Sequence, residues 1–361
     1  MAATLLATRA DLLGVAAQRR RTGLWLAVLT VGLVATALVA VGSGAIGIAP
    51  TTVARIIGHQ LVGLPAEVTW SLPEQSIVWQ VRLPRVLLGM LVGAGLAVCG
   101  VALQAMVRNV LADPYLLGIN SGASSGAAAA ILFGVGAGFG QYALSGSAFL
   151  GALAASLLVF LIARSGGRVT SLRLLLSGVA VGYALYATTS FLIFASGSAE
   201  GARSVMFWLL GSLGLARWDA LLAVAAVVLI GTTGYLTIVG RRLDVLAIGD
   251  ETAQTLGVSP DRFRLRLLVL VSLSVGVLVS AAGSIGFVGL VVPHLARRIV
   301  GAPHVRVVPV AALLGAILLV WADVLARVLL APQEIPIGII TALLGAPFLL
   351  VLIRRLHATA A

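Results

Sequence analysis

From Val86 to Val107 the chain runs without a charge, entered through WQVRLPR (Trp79 to Arg85) and closed by RNVLADP (Arg108 to Pro114). A hydrocarbon layer about 30 Å thick takes roughly 20 apolar residues to cross as a helix. This run therefore reads as a membrane span, approached between arginines and ended by groups that cannot sit in lipid; its small-residue face and polar flanks suggest a transport pathway. Composition excludes a soluble globule: 60% of the 361 residues are hydrophobic and 10% charged, where soluble domains carry about 25% charged residues. The net charge of +12 would suit phosphate binding. Here the arginines flank apolar spans as membrane topology requires, so the expected surroundings are membrane lipid and no nucleic acid.

Every one of the 24 basic residues is arginine. A Walker-type phosphate loop needs a lysine at the nucleotide phosphates, and Schiff-base chemistry needs an amine, so neither belongs to this chain. If transport is ATP-driven, the ATPase must be another polypeptide. The single cysteine, Cys99, lies inside an apolar stretch and reads as packing.

Hydropathy gives about ten spans: 24–48, 86–107, 116–139, 144–163, 174–195, 220–239, 265–282, 285–299, 307–330 and 337–353. The third and eighth are interrupted by Gly and Ser, and irregular backbone is tolerated at membrane depth only where protein or a water-filled cavity covers it. With the N-terminus in the cytoplasm, eighteen arginines, Arg9 and Arg168 among them, fall inside; Arg55, Arg82, Arg85, Arg203, Arg217 and Arg327 fall outside. The positive-inside rule favours that orientation. The reading is a cytoplasmic tail (1–23), a single transmembrane domain (24–355) and a second cytoplasmic tail (356–361). The first span is too long for a signal-peptide core and is expected to be retained.

Three segments between spans carry helix signals. Thr51 to Val62 reads as a short outer helix. Ala202 to Leu213, too short to cross, carries Phe207 and Trp208 beside Arg203 and suits a half-helix in the outer interface (202–213). The cytoplasmic connection 240–264 has Asp250 and Glu251 where carboxylates would complement a helix start and Gly257 where a helix should stop. It reads either as a docking knob or as an ordinary loop with one helical turn.

In order along the chain stand WQVRLPR, Gln104, Arg108-Asn109, LADPYLLGINSGA (Leu111 to Ala123), FWLLGSLG (Phe207 to Gly214), LAIGDETAQTLGV (Leu246 to Val258), GSIGFVGLVVPHLAR (Gly283 to Arg297), ADVLAR (Ala322 to Arg327) and IPIGIITALLGAPFLL (Ile335 to Leu350). This series resembles FecCD-type permeases, the membrane subunits of type II ABC importers for ferric siderophores, haem and cobalamin. The resemblance covers nearly everything from Trp79 to Leu352. It implies an all-α membrane protein of about ten transmembrane helices in the bacterial cytoplasmic (inner) membrane. It also implies a second permease subunit, as a homodimer, two separate ATPase subunits, and a soluble or lipid-anchored substrate-binding protein. ATP and Mg would sit on the partner ATPase, with no cofactor, metal or catalytic residue on this chain. Iron-chelate import is the first expectation, cobalamin import by the same mechanism the alternative.

Residue by residue, the resemblance implies that Arg82, Arg85 and Arg327 pair with carboxylates of the binding protein, a task for which planar guanidinium groups are suited. Plain interfacial anchoring would also account for Arg82 and Arg85, and Arg327 could pair within its own helix with Asp323. Asn109 and Leu111 match the inner constriction of the pathway, although Val110 stands where the family usually has proline. Gly249, Asp250, Glu251, Thr252, Ala253 and Leu256 match the coupling helix that sits on the ATPase. The small residues from Gly118 to Gly126 either line the pathway or let helices approach closely. Two rivals from other classes are weak. A serine protease would need Ser121 or Ser124 within reach of His294, which no spacing shows. An ion-coupled transporter would need mid-membrane ionisable groups, and only Asp323 qualifies.

Overall fold

The computed structural model describes residues 15–165 and 169–358; Arg9, Arg168 and the outer parts of both tails lie outside them. Among the described residues every regular element is helical. The helices are α1 (Val15–Gly42), α2 (Pro50–Val62), α3 (Leu72–Ser76), α4 (Leu83–Val107), α5 (Ile119–Phe133), α6 (Ala143–Arg164), α7 (Ser171–Ser196), α8 (Ala199–Leu209), α9 (Ala220–Ile238), α10 (Gly240–Ile248), α11 (Asp250–Thr255), α12 (Pro260–Ala282), α13 (Val288–Val300), α14 (His304–Val328) and α15 (Ile337–Ala358). A π-helical stretch, Ile77–Arg82, carries α3 into α4.

Seven helical stretches are long and apolar enough to cross a membrane. The shorter apolar α15 joins them. The other two of the ten expected spans are α5, of 15 residues, and α13, of 13 residues. These are the third and eighth, the two whose sequences are broken by Gly and Ser. At 1.5 Å per residue, α13 covers about 20 Å, so irregular backbone must supply the rest of the depth. The two irregular segments, 109–118 after α4 and 283–287 before α13, meet each other: the Tyr115 hydroxyl accepts from the Ile285 N–H at 2.5 Å. Ala112, Pro114, Leu117 and Ile285 are buried, which gives the unwound backbone the protein cover it needs in lipid.

The run from Leu83 to Val107 forms the centre of the bundle and packs against α9, α12, α13 and α14. Its most apolar stretch is 83% buried, against 17% for α7. Glycine makes the close crossings possible: a Cβ on Gly100 would fall on the Gly289 carbonyl, and Cβ atoms on Gly122 and Gly126 would fall on the carbonyls of Gly151 and Ser147. The Gly118 to Gly126 series thus serves helix approach, α5 against α6. On its other side Ser125 Oγ lies 2.9 Å from Thr189 Oγ1 of α7.

Several boundaries differ from those read in the sequence, each for a local reason. The helix expected at 202–213 starts at Ala199, because Ser198 Oγ accepts from the Gly201 N–H at 3.0 Å. It ends at Leu209, because Gly211 takes φ 75° and the Ser212 N–H turns away to the Ala282 carbonyl at 2.8 Å. The connection 240–264 is no plain loop: α10 and α11 fill it, and Pro260 opens α12, a first-turn position where its missing N–H costs nothing. Helix α1 begins at Val15 and α15 continues to Ala358.

Candidate functional site

At one end of the bundle, the C-terminus of α1 leaves carbonyls without intrahelical donors. Arg82 Nη1 donates to the Val41 and Gly42 carbonyls at 3.1 Å each, and its Nη2 to Ile46 at 2.7 Å. Arg327 donates to Ser43 at 2.6 Å and to Ala40 at 3.1 Å. Asp323 stands between Arg85 and Arg327, 2.9 Å from a nitrogen of each, so the i,i+4 pair anticipated for Arg327 is formed. Arg85 also grips Glu334 bidentately at 3.0 and 2.9 Å. Arg82, Arg85 and Arg327 are each less than a tenth exposed, and Asp323 is 1% exposed; Glu334 keeps 49% of its side chain in the open.

The three arginines named from the sequence are thus brought together, but as interior donors and not as free surface charges. Burial also removes simple headgroup anchoring as their explanation. Asp323, held by two guanidinium groups, is unsuited to carry a coupling ion. Beside the cluster a cavity of about 660 Å³ opens, lined by Arg85, Glu334, Phe207, Trp208, Ser212 and Gly283 among others.

At the opposite end, α4 stops because Arg108 takes the left-handed conformation, φ 55° and ψ 39°. Asn109 Oδ1 accepts from the Leu111 N–H at 2.9 Å, and the Asn109 carbonyl from the Ala112 N–H at 3.1 Å. This closes a tight turn with Asn109 and Leu111 half-buried and Val110 exposed. The turn is held by the Asn109 side chain. Asp113 then accepts from the Tyr115 N–H at 3.0 Å and starts a 3₁₀ turn, Pro114–Leu117. Gln104, buried near the end of α4, pins this elbow to α13. Its amide donates to the carbonyls of Ala112, Gly289 and Leu290 at 3.4 Å each, and its oxygen accepts from Arg297 at 2.6 Å.

Near that elbow lies α11. Gly249, at φ 152° and ψ 161°, separates it from α10, and Gly257, at φ 78°, ends it. Ala253 is buried, while Glu251, Thr252 and Leu256 are exposed. Asp250 points inward: both its oxygens are held by Arg264, at 2.9 and 2.6 Å. Arg264 has 0% exposure and carried no role beyond topology in the sequence reading. A signal was present, since Arg264 shares a helical stripe with the buried Leu267, Leu268 and Val271. The protease constellation does not form among the described residues: Ser124 donates to its own helix at Asn120, and His294 packs edge-on against Phe348 with Nε2 unpaired.

Membrane-length helices around a buried central one, two broken spans meeting at depth, a charged cluster at one end and a short presented helix at the other define a multi-pass membrane permease. The chain belongs to the FecCD transport family, which it matches over residues 29–355. It is 45% identical over 295 residues to the cobalamin import system permease of Halobacterium salinarum, covering 81% of this chain and 78% of that one. It is 42% identical to the hemin transport system permease of Yersinia pestis, over 79% and 86% of the two chains. The Fe(3+)-citrate import system permease of Bacillus subtilis is 41% identical over 78% and 82%. A solved ABC transporter of metal-chelate type, in an inward-facing conformation, superimposes with a TM-score of 0.79 at 35% identity, covering 91% of this chain and 98% of the other. These relatives are named as permeases and transporters, not as enzymes.

Proposed function

We propose that this chain is the membrane subunit of an ATP-driven importer that passes a metal chelate inward, with an iron chelate, ferric siderophore or haem, as the first reading. The observation that carries it is α11, a capped helix presenting Glu251, Thr252 and Leu256 on a chain that has no lysine with which to bind nucleotide itself. Gly249, Asp250 and Ala253 set the helix in place for a pair of separate ATPase subunits. ATP and Mg belong to those partners, and no cofactor belongs to this chain.

A second copy of the subunit fits against α7, the least covered of the seven long spans. Its open stripe carries Tyr183, Tyr186, Ser190 and Phe194, more polar than lipid favours. The outer arginine cluster is the seat for a soluble or lipid-anchored binding protein, whose carboxylates would compete with the half-exposed Glu334 for Arg85. Asn109 and Leu111 form the inner constriction. The proposed setting is the bacterial cytoplasmic membrane with both termini inside, the orientation the arginine distribution favours.

Cobalamin is the second reading, favoured by the 45% identity to a cobalamin permease. A growth and uptake panel offering ferric citrate, a ferric siderophore, haemin or cyanocobalamin to a strain carrying only this importer separates the two. Growth on an iron source alone supports the first reading, growth on cyanocobalamin alone the second, and transport of none rejects chelate import.

A further inference from the structure

Arg264 is unusual among the arginines in that all five of its N–H groups are spent inside the protein. Nε donates to the Met106 carbonyl at 3.2 Å; Nη1 to the Val169 carbonyl at 3.4 Å and Asp250 Oδ2 at 2.9 Å; Nη2 to Ser171 Oγ at 3.0 Å and Asp250 Oδ1 at 2.6 Å. Ser171 in turn donates to the same Met106 carbonyl at 3.3 Å. One buried guanidinium therefore ties four pieces of chain: the last turn of α4, the residue preceding α7 by two, the first residue of α7, and α11. Met106 lies two residues before Arg108, whose left-handed backbone starts the turn that holds Asn109 and Leu111.

We infer that the Asp250–Arg264 pair is the transmission link that turns a displacement of α11 into a displacement of the inner constriction and of α7. The inference rests on the proposed reading of α11 as the ATPase contact and says how that contact reaches the pathway. A fully buried guanidinium cannot part from its carboxylate without stranding a charge, which is strongly unfavourable. When α11 moves, Arg264 moves with it and carries the Met106 and Ser171 ends along, so the three helix ends shift as one packed body between discrete arrangements. The other route, Arg108 at 3.9 Å from Asp250, is 40% exposed and weakly coupled because solvent screens it. Arg264 is thus a positioning residue that touches neither ATPase nor cargo. Lysine cannot replace it, since an ammonium lacks the planar fork that holds four segments at once.

The test uses the complete assembly in vesicles, with Cys99→Ala so that Leu111→Cys is the one thiol on this subunit. Labelling of Leu111→Cys by an impermeant maleimide is followed with and without ATP, and a separate Thr252→Cys variant reports cross-linking to the ATPase. In the parent, ATP is expected to change the labelling rate about tenfold, within the usual range of coupling between sites. Arg264→Lys should reduce that response to less than about twofold while leaving the Thr252→Cys cross-link yield intact, because α11 still presents its outer face. Ser171→Ala, which removes one tie and keeps the ion pair, should give an intermediate response. A full ATP response in Arg264→Lys overturns the link. So does a response that falls only in proportion to cross-linking, which would make Arg264 merely structural. Failure of the parent to cross-link at Thr252→Cys would instead remove the ATPase-contact reading, and the link with it.

Discussion

Replacing Asp323 by asparagine is the sharpest probe of the arginine cluster. Two guanidinium groups, Arg85 and Arg327, pair with two carboxylates there, Asp323 and Glu334, and Asp323 is the buried one, at 2.9 Å from both Arg85 and Arg327. Breaking a buried pair by removing one partner costs about 3–5 kcal/mol. Arg85 keeps Glu334, and Arg327 keeps the Ser43 and Ala40 carbonyls, so the lower end, about 3 kcal/mol, applies to Asp323→Asn. Arg327→Gln alone loses bonds to the α1 terminus and costs about 1–3 kcal/mol. In the double variant the stranded charge disappears with its partner, and the loss should fall short of the sum by about 2 kcal/mol. SDS titration of the purified subunit, followed by circular dichroism, measures all three. A double variant that equals the sum within about 0.5 kcal/mol would refute the compensation argument.

Gln104→Leu leaves Arg297 and three carbonyls without their partner; it should cost about 1–3 kcal/mol and speed maleimide labelling of Leu111→Cys without ATP, and an unchanged rate would remove Gln104 from the elbow. Gly122→Leu drives a side chain into the Gly151 carbonyl and should cost about 1–3 kcal/mol or more, read as a lower melting midpoint. Gly138→Ala, which meets open space, should stay within about 0.5 kcal/mol. Charge reversal at Arg82 and Arg85 should weaken binding-protein docking, because a partner carboxylate reaching for Arg85 would meet a like charge. Both residues also hold the fold, so Glu334→Gln is the cleaner variant. It frees Arg85 for a partner carboxylate, and surface-binding measurements should show tighter docking.

What was legible in the sequence follows from what is local. Apolar runs could be counted because apolar length is a local quantity, and the third and eighth stood apart by their Gly/Ser interruptions, where the backbone leaves the helix at Gly118 and at Gly283. The start of α11 at Asp250 and its stop at Gly257 were likewise written in neighbouring residues. The arginine cluster was legible as residues and not as a structure. Arg82 reaches Val41, Arg85 reaches Glu334 and Arg327 reaches Ser43, and no local pattern encodes partners so far apart in the chain. The helix read as 202–213 was misplaced because Ser198 lies upstream of the aromatic pair that drew attention, and because Ser212 is pulled off by a carbonyl on another helix. Arg264 was half-legible: its place in the stripe with Leu267, Leu268 and Val271 marks it as buried, while its Asp250 partner shows only in three dimensions.

Energy supply is the claim on which the functional account depends. Vesicles holding this subunit with its ATPase, and its binding protein loaded with the chelate that supports growth, should accumulate that chelate with ATP inside the ATPase-facing compartment and not without it. The subunit alone should hydrolyse no nucleotide. Accumulation driven equally well by a proton or sodium gradient in vesicles lacking the ATPase, or nucleotide hydrolysis by the subunit alone, would contradict the account.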